Sequence, residues 1–260
     1  VNTITKEQLI QLLKEVRSQG WMQSGRQGNC GGVGNTLEDC LGIKENNLPI
    51  PNAAEWELKC QRKKGGSLLT LFHMEPSPQA LKFVPAMLLP DYGWPHKKAG
   101  GLYGESEMSF RQTINAACFS ERGFKVVVDR GERKVMVSFD SSQVSERLQP
   151  WLQLVASRRG LSELNPQPYW GFDDLFHKAG SKLKNCFYVL VDHKFVEGIE
   201  YLKYEEIYML RTLSINHFIS AIEDGHIFVD FDARTGHNHG TKFRIPREHL
   251  PDLYEEVKEI

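Results

Sequence analysis

The longest unbroken apolar run in the sequence is Cys186–Val191, with a tyrosine inside it. A membrane helix needs about 18 or more such residues. The chain is therefore expected to bury its apolar groups within itself, in short strands and amphipathic helices. Its 260 residues, 40% apolar and 25% charged, suffice for a real core in one large domain or two close lobes. That balance excludes disordered, collagen-like, coiled-coil and small disulfide-stapled chains. Val1–Gln19 mixes polar and apolar residues with a helix period, unlike a signal peptide. Cys30, Cys40, Cys60, Cys118 and Cys186 form no C-x-x-C pair, and an odd, scattered set reads as reduced thiols of a cytoplasmic protein.

Periodicity gives the order of elements. Thr5 and Gln8 form a capping box, after which Leu9, Leu12, Leu13 and Val16 share a helix face until Gly20. Gly25–Gly34 holds five glycines ahead of a short helix, with Thr36 as expected N-cap, Asp39 as its capping partner and Glu38 in the first turn. In Glu55–Cys60, Trp56, Leu58 and Cys60 alternate with Glu55, Glu57 and Lys59, which predicts a strand with its charges on one face. Ser67–His73 predicts an apolar strand; Ser77–Leu89 admits no single reading because Pro78 and Pro85 interrupt it. Met108–Ala116, Phe124–Asp129 and Lys134–Phe139 predict strands, the last two a hairpin across Arg130–Arg133.

A helix is expected from Ser141 or Ser142 to about Ser157, broken or kinked at Pro150. Next come a short helix at Phe172–Ala179, a buried strand at Cys186–Val191 and a half-exposed strand at Ile199–Tyr204. Ser214 caps a helix to Asp224, Ile227–Phe231 and Thr241–Ile245 predict strands, and Glu248–Lys258 predicts a closing helix. The expected lobe boundary is the Pro- and Gly-containing region around 160–170, and Tyr169, Trp170 and Phe172 are expected in the core or between lobes.

Charge is nearly balanced, 32 basic against 33 acidic residues, so the total does not announce a polyanion binder. Locally it is uneven. Lys59, Arg62, Lys63 and Lys64 crowd together, and Arg234, Lys242, Arg244 and Arg247 gather against Glu248 alone. Each run reads equally as a solvated face. The segment with chemistry in it is Pro51–Lys59. Hydrolysing a phosphodiester needs negative charge offset at the phosphoryl group, an in-line water and a path for its proton. Carboxylates collect Mg²⁺, and a neighbouring lysine offsets the charge that develops. Glu57 and Lys59, two apart on a strand, supply one of each. Glu-x-Lys alone is also what an ordinary exposed strand carries. His237 and His239 straddle Asn238, so they suit either base edges or zinc, although no cysteine lies nearby in sequence to complete a zinc site. Gly34 is followed by Asn35 and Thr36, which excludes a P-loop.

Taken in order, G-N-x-G-G-V-G-x-T-L-E (Gly28–Glu38), E-N-N-L-P-I-P (Glu45–Pro51), E-W-E-L-K (Glu55–Lys59), S-L-L-T-L-F-H (Ser67–His73) and G-H-N-H-G-T-K-F-R-I (Gly236–Ile245) resemble the MvaI/BcnI family of type II restriction endonucleases. That family is related to the mismatch-repair nicking endonuclease MutH within the PD-(D/E)XK superfamily. The resemblance implies an α/β (α+β) restriction-endonuclease-like core, a mixed β-sheet flanked by helices, and two lobes around a DNA cleft. Residues 1–160 would form the catalytic lobe and 161–260 the DNA-recognition lobe. It further implies a monomeric Mg²⁺-dependent enzyme that cuts double-stranded DNA to leave 5′-phosphate ends, with a cognate DNA methyltransferase in the same system.

By the same resemblance, Glu57 is the second acidic metal ligand, Lys59 the catalytic lysine and Glu38 the supporting helical glutamate. The first metal-binding aspartate should sit five residues before Glu57, where this sequence has Asn52. An amide offers a neutral oxygen without the charge of a carboxylate. Asn52 thus marks an engineered inactivation, a natural site in which Glu55 serves as ligand, or a catalytically weak DNA-binding relative. Arg62, Lys63 and Lys64 would contact phosphates. His237, His239 and Arg244 would read bases, and Arg234 and Lys242 would contact phosphates or face solvent. The alternatives are a MutH-like nicking repair endonuclease and a catalytically silent sequence-specific DNA-binding protein.

Overall fold

The computed structural model describes residues 4–26, 31–43 and 55–260. Helices are α1 (Lys6–Ser18), α2 (Gly32–Cys40), α3 (Leu89–Tyr92), α4 (Gln149–Arg158), α5 (Phe172–Leu183) and α6 (Ile215–Glu223). The first eight strands are β1 (Met22–Gln23), β2 (Trp56–Arg62), β3 (Leu69–His73), β4 (Trp94–Pro95), β5 (Met108–Ile114), β6 (Arg122–Asp129), β7 (Lys134–Val144) and β8 (Tyr169–Gly171). Six more follow: β9 (Asn185–Val196), β10 (Ile199–Leu213), β11 (Phe228–Arg234), β12 (His237–Asn238), β13 (Lys242–Ile245) and β14 (Tyr254–Glu259). The fold is α+β, with a mixed sheet flanked by helices.

The chain forms two compact units interleaved in sequence. One comprises Val1–Leu69, Ala179–His217 and Pro246–Ile260, and the other Thr70–Lys178 and Phe218–Ile245. Residue 160 lies inside the second unit, since strand pairing brings segments from far along the chain back to β2. In the first unit the sheet runs β1-β10-β9-β2, with β14 also on β10. β2 and β9 are parallel, whereas the remaining pairs are antiparallel. Leu9, Leu13 and Val16 of α1 and Val33 and Leu37 of α2 pack against Trp56 and Leu58 of β2 and Phe187, Val189 and Val191 of β9. Each such side chain contributes about 1.5–3 kcal/mol on burial. β9 is buried on both faces through Val189, which is why its sequence is an unbroken apolar run.

In the second unit one sheet runs β3-β13-β11-β5-β4, with β12 also on β11, and a smaller one runs β6-β7-β8. Phe110 touches Phe124 and Phe231 edge-on, and Trp170 meets Phe243 the same way. The buried Trp170 indole donates to Met74 O at 3.1 Å, so its one polar group is satisfied. Among the described residues no helix is long and apolar enough to cross a membrane.

Several elements differ from expectation. The closing helix is absent: Pro251–Leu253 makes a 3₁₀ turn, and β14 then pairs with the end of β10, Leu210 opposite Val257. β10 runs past Tyr204 to Leu213, which leaves an edge that Glu-rich residues cover despite their helix propensity. The helix expected from Ser141 or Ser142 begins at Gln149, because β7 continues to Val144 opposite Arg122. Pro150 sits in its first turn, where a missing N–H costs nothing. α2 begins at Gly32, so Thr36 is not its cap and Glu38 lies in its last turn. The Thr36 hydroxyl instead donates to Gly32 O at 2.7 Å and accepts from Gly25 N at 3.1 Å. The Thr5–Gln8 capping box is present as expected.

Candidate active site

On β2, Trp56 and Leu58 turn toward the helices and Glu57 and Lys59 leave from the other face, as the alternation requires. Parallel pairing sets Glu57 beside Cys186 and Lys59 beside Tyr188. Glu57 is only 3% exposed. Its Oε1 accepts from Lys59 Nζ at 2.8 Å. Lys182, in the last turn of α5, brings its Nζ to 3.3 Å from Oε2. That approach lacks hydrogen-bond geometry, and Oε2 has no hydrogen-bond partner among the described residues. A carboxylate this deep that lost its cations would cost about 3–5 kcal/mol.

The surroundings are nearly dry. Burial pushes the Cys186 thiol up to about 12, with Lys59 pulling it down and Glu57 pushing it further up. Burial also holds the Tyr254 hydroxyl well above the usual phenol range, with Cys186 and Glu57 adding to the effect. Neither group is a nucleophile at neutral pH.

Asn52 lies outside the described residues, and Glu55 is an exposed turn residue just ahead of β2. Its carboxylate therefore begins outside the strand whose face it was expected to share. Glu38 is half-buried. Its charge reaches Cys60, whose thiol is raised by burial, lowered by Arg62 and raised again by Glu38. Cys60 packs against the helix-side core, as its position opposite the charged face predicts. Among the described residues no three His, Cys, Asp or Glu side chains group to hold a metal ion.

Two of the three basic residues after Lys59 are committed to carboxylates. Arg62 forks onto Glu200, with Nε–Oε1 at 2.9 Å and Nη2–Oε2 at 3.0 Å, and Glu200 is buried. Lys63 Nζ stands 2.7 Å from both Glu205 and Glu206, whose hydrogen bonds hold it above the usual lysine range. Lys64 is exposed. A run of like charges in sequence thus does not make a run of available charges.

Of the second cluster, Arg234, Lys242 and Arg244 lie on the larger sheet of the second unit, whereas Arg247 sits in a 3₁₀ turn of the first. Val229, Phe231 and Ala233 of β11 face the core, and Asp230, Asp232 and Arg234 leave from the other side. Asp232 accepts from Arg111 Nε through Oδ1 and from Lys242 Nζ through Oδ2, the latter at 3.2 Å. Burial raises Asp232, but those two hydrogen bonds outweigh it and hold the carboxyl below its usual range. Asp230 accepts from Thr113 Oγ1 at 3.0 Å and Arg244 Nη1 at 3.2 Å. Arg234 pairs with Glu107 at 2.9 Å and lies 4.6 Å over the Tyr103 ring. His237 and His239 are both exposed, and their rings meet edge-on with centroids 4.1 Å apart.

Lys182 and the partners Asp230 and Asp232 escaped the sequence reading. Nothing in sequence signals Lys182, which reaches Glu57 from 125 residues away in a helix without a motif. The aspartates did carry a signal: Phe228–Arg234 alternates as cleanly as Glu55–Cys60 does.

Comparison with curated protein sequences gives no match. The solved complex of restriction endonuclease MvaI with its cognate DNA substrate is similar over 97% of each chain, with TM-score 0.77 and 26% identity. Restriction endonuclease MvaI in the absence of DNA is similar over the whole of both chains, with TM-score 0.52 and 24% identity, a likeness of fold. The model of the MvaI/BcnI restriction endonuclease family matches residues 10–254. With that match spanning nearly its whole length, the chain belongs to the MvaI/BcnI restriction endonuclease family, of the PD-(D/E)XK superfamily.

Proposed function

We propose that this protein is a site-specific endonuclease that hydrolyses phosphodiester bonds of double-stranded DNA with Mg²⁺, leaving 5′-phosphate and 3′-hydroxyl ends. The observation that carries the proposal is the Glu57 carboxylate: buried, held by Lys59 through one oxygen, its other oxygen without a hydrogen bond among the described residues. A hard, anionic oxygen in that condition fits Mg²⁺. Glu57 would hold the ion together with Asn52, and the Lys182 contact, which is not a hydrogen bond, is the one to yield. When bound, Mg²⁺ would supply positive charge at the scissile phosphate and acidify water. Lys59 offsets the charge gathering on the phosphoryl oxygens, and Glu57 fixes the ammonium in place for that task. Water adds to phosphorus as the bond from phosphorus to the 3′-oxygen breaks; the water's proton passes to solvent and the departing oxygen takes one up from solvent. Glu38 stands on α2 toward the Cys60 side of β2, so any support it gives would act through the strand and not on the Glu57 face.

The half-buried face carrying Arg234, Lys242 and Arg244, with His237 and His239 at its end, is the proposed DNA-reading surface. Its cations are held by carboxylates, which limits their rotamers before any DNA arrives and favours discrimination over raw affinity. Lys64 makes a phosphate contact. The first unit is assigned the nuclease role and the second the recognition role. The enzyme acts as a cytoplasmic monomer cutting one strand per binding event, beside a cognate methyltransferase, without the partner activation a MutH-like nicking enzyme needs.

A digest of mixed-sequence DNA with Mg²⁺, followed by sequencing of the ends, tests this. Cut ends sharing a short motif, absent with Glu57→Ala, are the expected result. Asn52 favours a second reading, a protein that binds specific DNA without turnover. It holds if this protein and its Asn52→Asp variant both bind duplex tightly and neither cuts any sequence.

A further inference from the structure

The loop that carries His237 and His239 is held by more bonds than a surface turn needs. Gly236 (φ +69°) and Gly240 (φ +86°) both lie in the left-handed region, which glycine enters without a Cβ clash. His239 N donates to Asp232 O at 2.9 Å, and Gly240 N donates to Asn238 Oδ1 at 3.0 Å. Beside the pairing of His237 and Asn238 with β11, further bonds converge on one side chain from another part of the unit. Glu75 Oε1 accepts from Thr241 N at 2.8 Å and Asn238 Nδ2 at 3.4 Å, and Oε2 accepts from Thr241 Oγ1 at 3.1 Å. Thr241 is fully buried, and its carbonyl accepts from Met74 N at 2.9 Å. A Cβ on Gly240 would already stand 3.4 Å from the His73 ring and 3.5 Å from Glu75 Oε1, so the loop sits directly on this segment.

We infer that Glu75 is a positioning residue for base reading: it fixes the loop on which both imidazoles stand. The inference rests on the reading of that loop as a DNA contact. A loop ordered before binding keeps its hydrogen-bonding groups aimed, and the ordering cost is not charged against the correct sequence. Phosphate contacts made elsewhere are sequence-independent and do not depend on this loop. Glu75 should therefore govern discrimination and leave non-specific affinity alone.

The test uses the full-length protein without cleavage, in Ca²⁺, and a library of duplexes with a randomised core. The unaltered protein enriches a short motif. In Glu75→Leu the ratio of affinity for the enriched duplex to that for the unselected library falls about tenfold, with library affinity unchanged. Glu75→Gln restores the ratio, because its carbonyl still accepts from Thr241 N and its amide donates to the Thr241 hydroxyl. Should Glu75→Leu fail to fold, Asn238→Ala at the exposed end of the same bond network is expected to lower the ratio several-fold. An unchanged ratio in folded Glu75→Leu or in Asn238→Ala, or no rescue by Glu75→Gln, overturns the inference. If the ratio falls in His237→Ala and His239→Ala alone, the loop's DNA role survives without Glu75. Absence of any enriched motif, or of any effect of the histidines, removes both.

Discussion

Glu57 and Asp232 are each one carboxylate facing two cations, and they differ in completeness and depth. Asp232 is 20% exposed on its side chain, and both its oxygens are hydrogen-bonded, one by Arg111 and one by Lys242. Glu57 is 3% exposed, and only the oxygen facing Lys59 is hydrogen-bonded among the described residues. A satisfied, half-wet carboxylate is an orienting group for its cations. A dry one with an oxygen in reserve is the kind of carboxylate the proposed metal site requires. The same residue types therefore sit in different electrostatic states, set by burial and by which lone pairs are taken.

The sharpest way to break this comparison is to truncate each carboxylate and follow cleavage. In an Asn52→Asp background, Glu57→Ala is expected to lower the single-turnover rate by at least about a thousandfold, in line with the loss of a main charge-stabilising group. Asp232→Ala is expected to lower discrimination between duplex sequences while a bound duplex is still cut within about tenfold of the parent rate. Equal losses in the two would show that Glu57 holds no special place. Asn52→Asp itself should raise the Mg²⁺-dependent rate about a hundredfold, because a carboxylate adds the anionic ligand that an amide lacks. A rate unchanged by that substitution sinks Asn52 as the position of a metal ligand.

Stability provides a smaller contrast. Replacing Lys59 and Lys182 together by methionine strands Glu57 and is expected to cost about 3–5 kcal/mol in urea unfolding. The matching pair in the other unit, Arg111→Ala with Lys242→Ala, leaves Asp232 within reach of water and is expected to cost about 1 kcal/mol. Either single lysine change at Glu57 should cost well under half the double, since the second ammonium remains. If the two double variants unfold at the same urea concentration, depth does not separate the clusters.

The two sites were unequally legible in the sequence. Alternation in Glu55–Cys60 gave both the strand and the common face of Glu57 and Lys59, because a two-residue period is a local property of the backbone. It overreached by one residue at Glu55, which precedes the strand. Lys182 was invisible, and so was the neutralisation of Arg62 by Glu200, 138 residues away. Charge runs are read along the chain, whereas ion pairs form across a sheet whose register no local pattern records. β14 departs from its expected helix for a related reason: Glu255, Glu256 and Lys258 favour a helix locally, and only the open edge of β10 makes them a strand. Family motifs supplied what periodicity did not, namely where to look for metal and DNA contacts.

A third arrangement inverts the first two and yields the smallest expected effect. Lys63 is one cation among three carboxylates, Glu205 and Glu206 at 2.7 Å and Asp192 at 3.9 Å. Hydrogen bonds from Lys203 and Lys63 hold the Glu205 carboxyl down to about 2, against its usual 4.5. A depressed folded-state value means the contribution is fully present above about 4.5 and is lost as pH falls toward about 2. Lys63 stays protonated throughout that window, so the loss belongs to the carboxylates. Because these side chains are partly in water, the effect is expected to be about 1 kcal/mol or less. Urea unfolding followed from about pH 5 to about pH 2.5 should show a steeper acid loss in the unaltered protein than in Glu205→Gln. Parallel curves would mean the Lys63 cluster is screened by solvent, leaving depth at Glu57 as the single feature that makes a carboxylate–lysine contact consequential here.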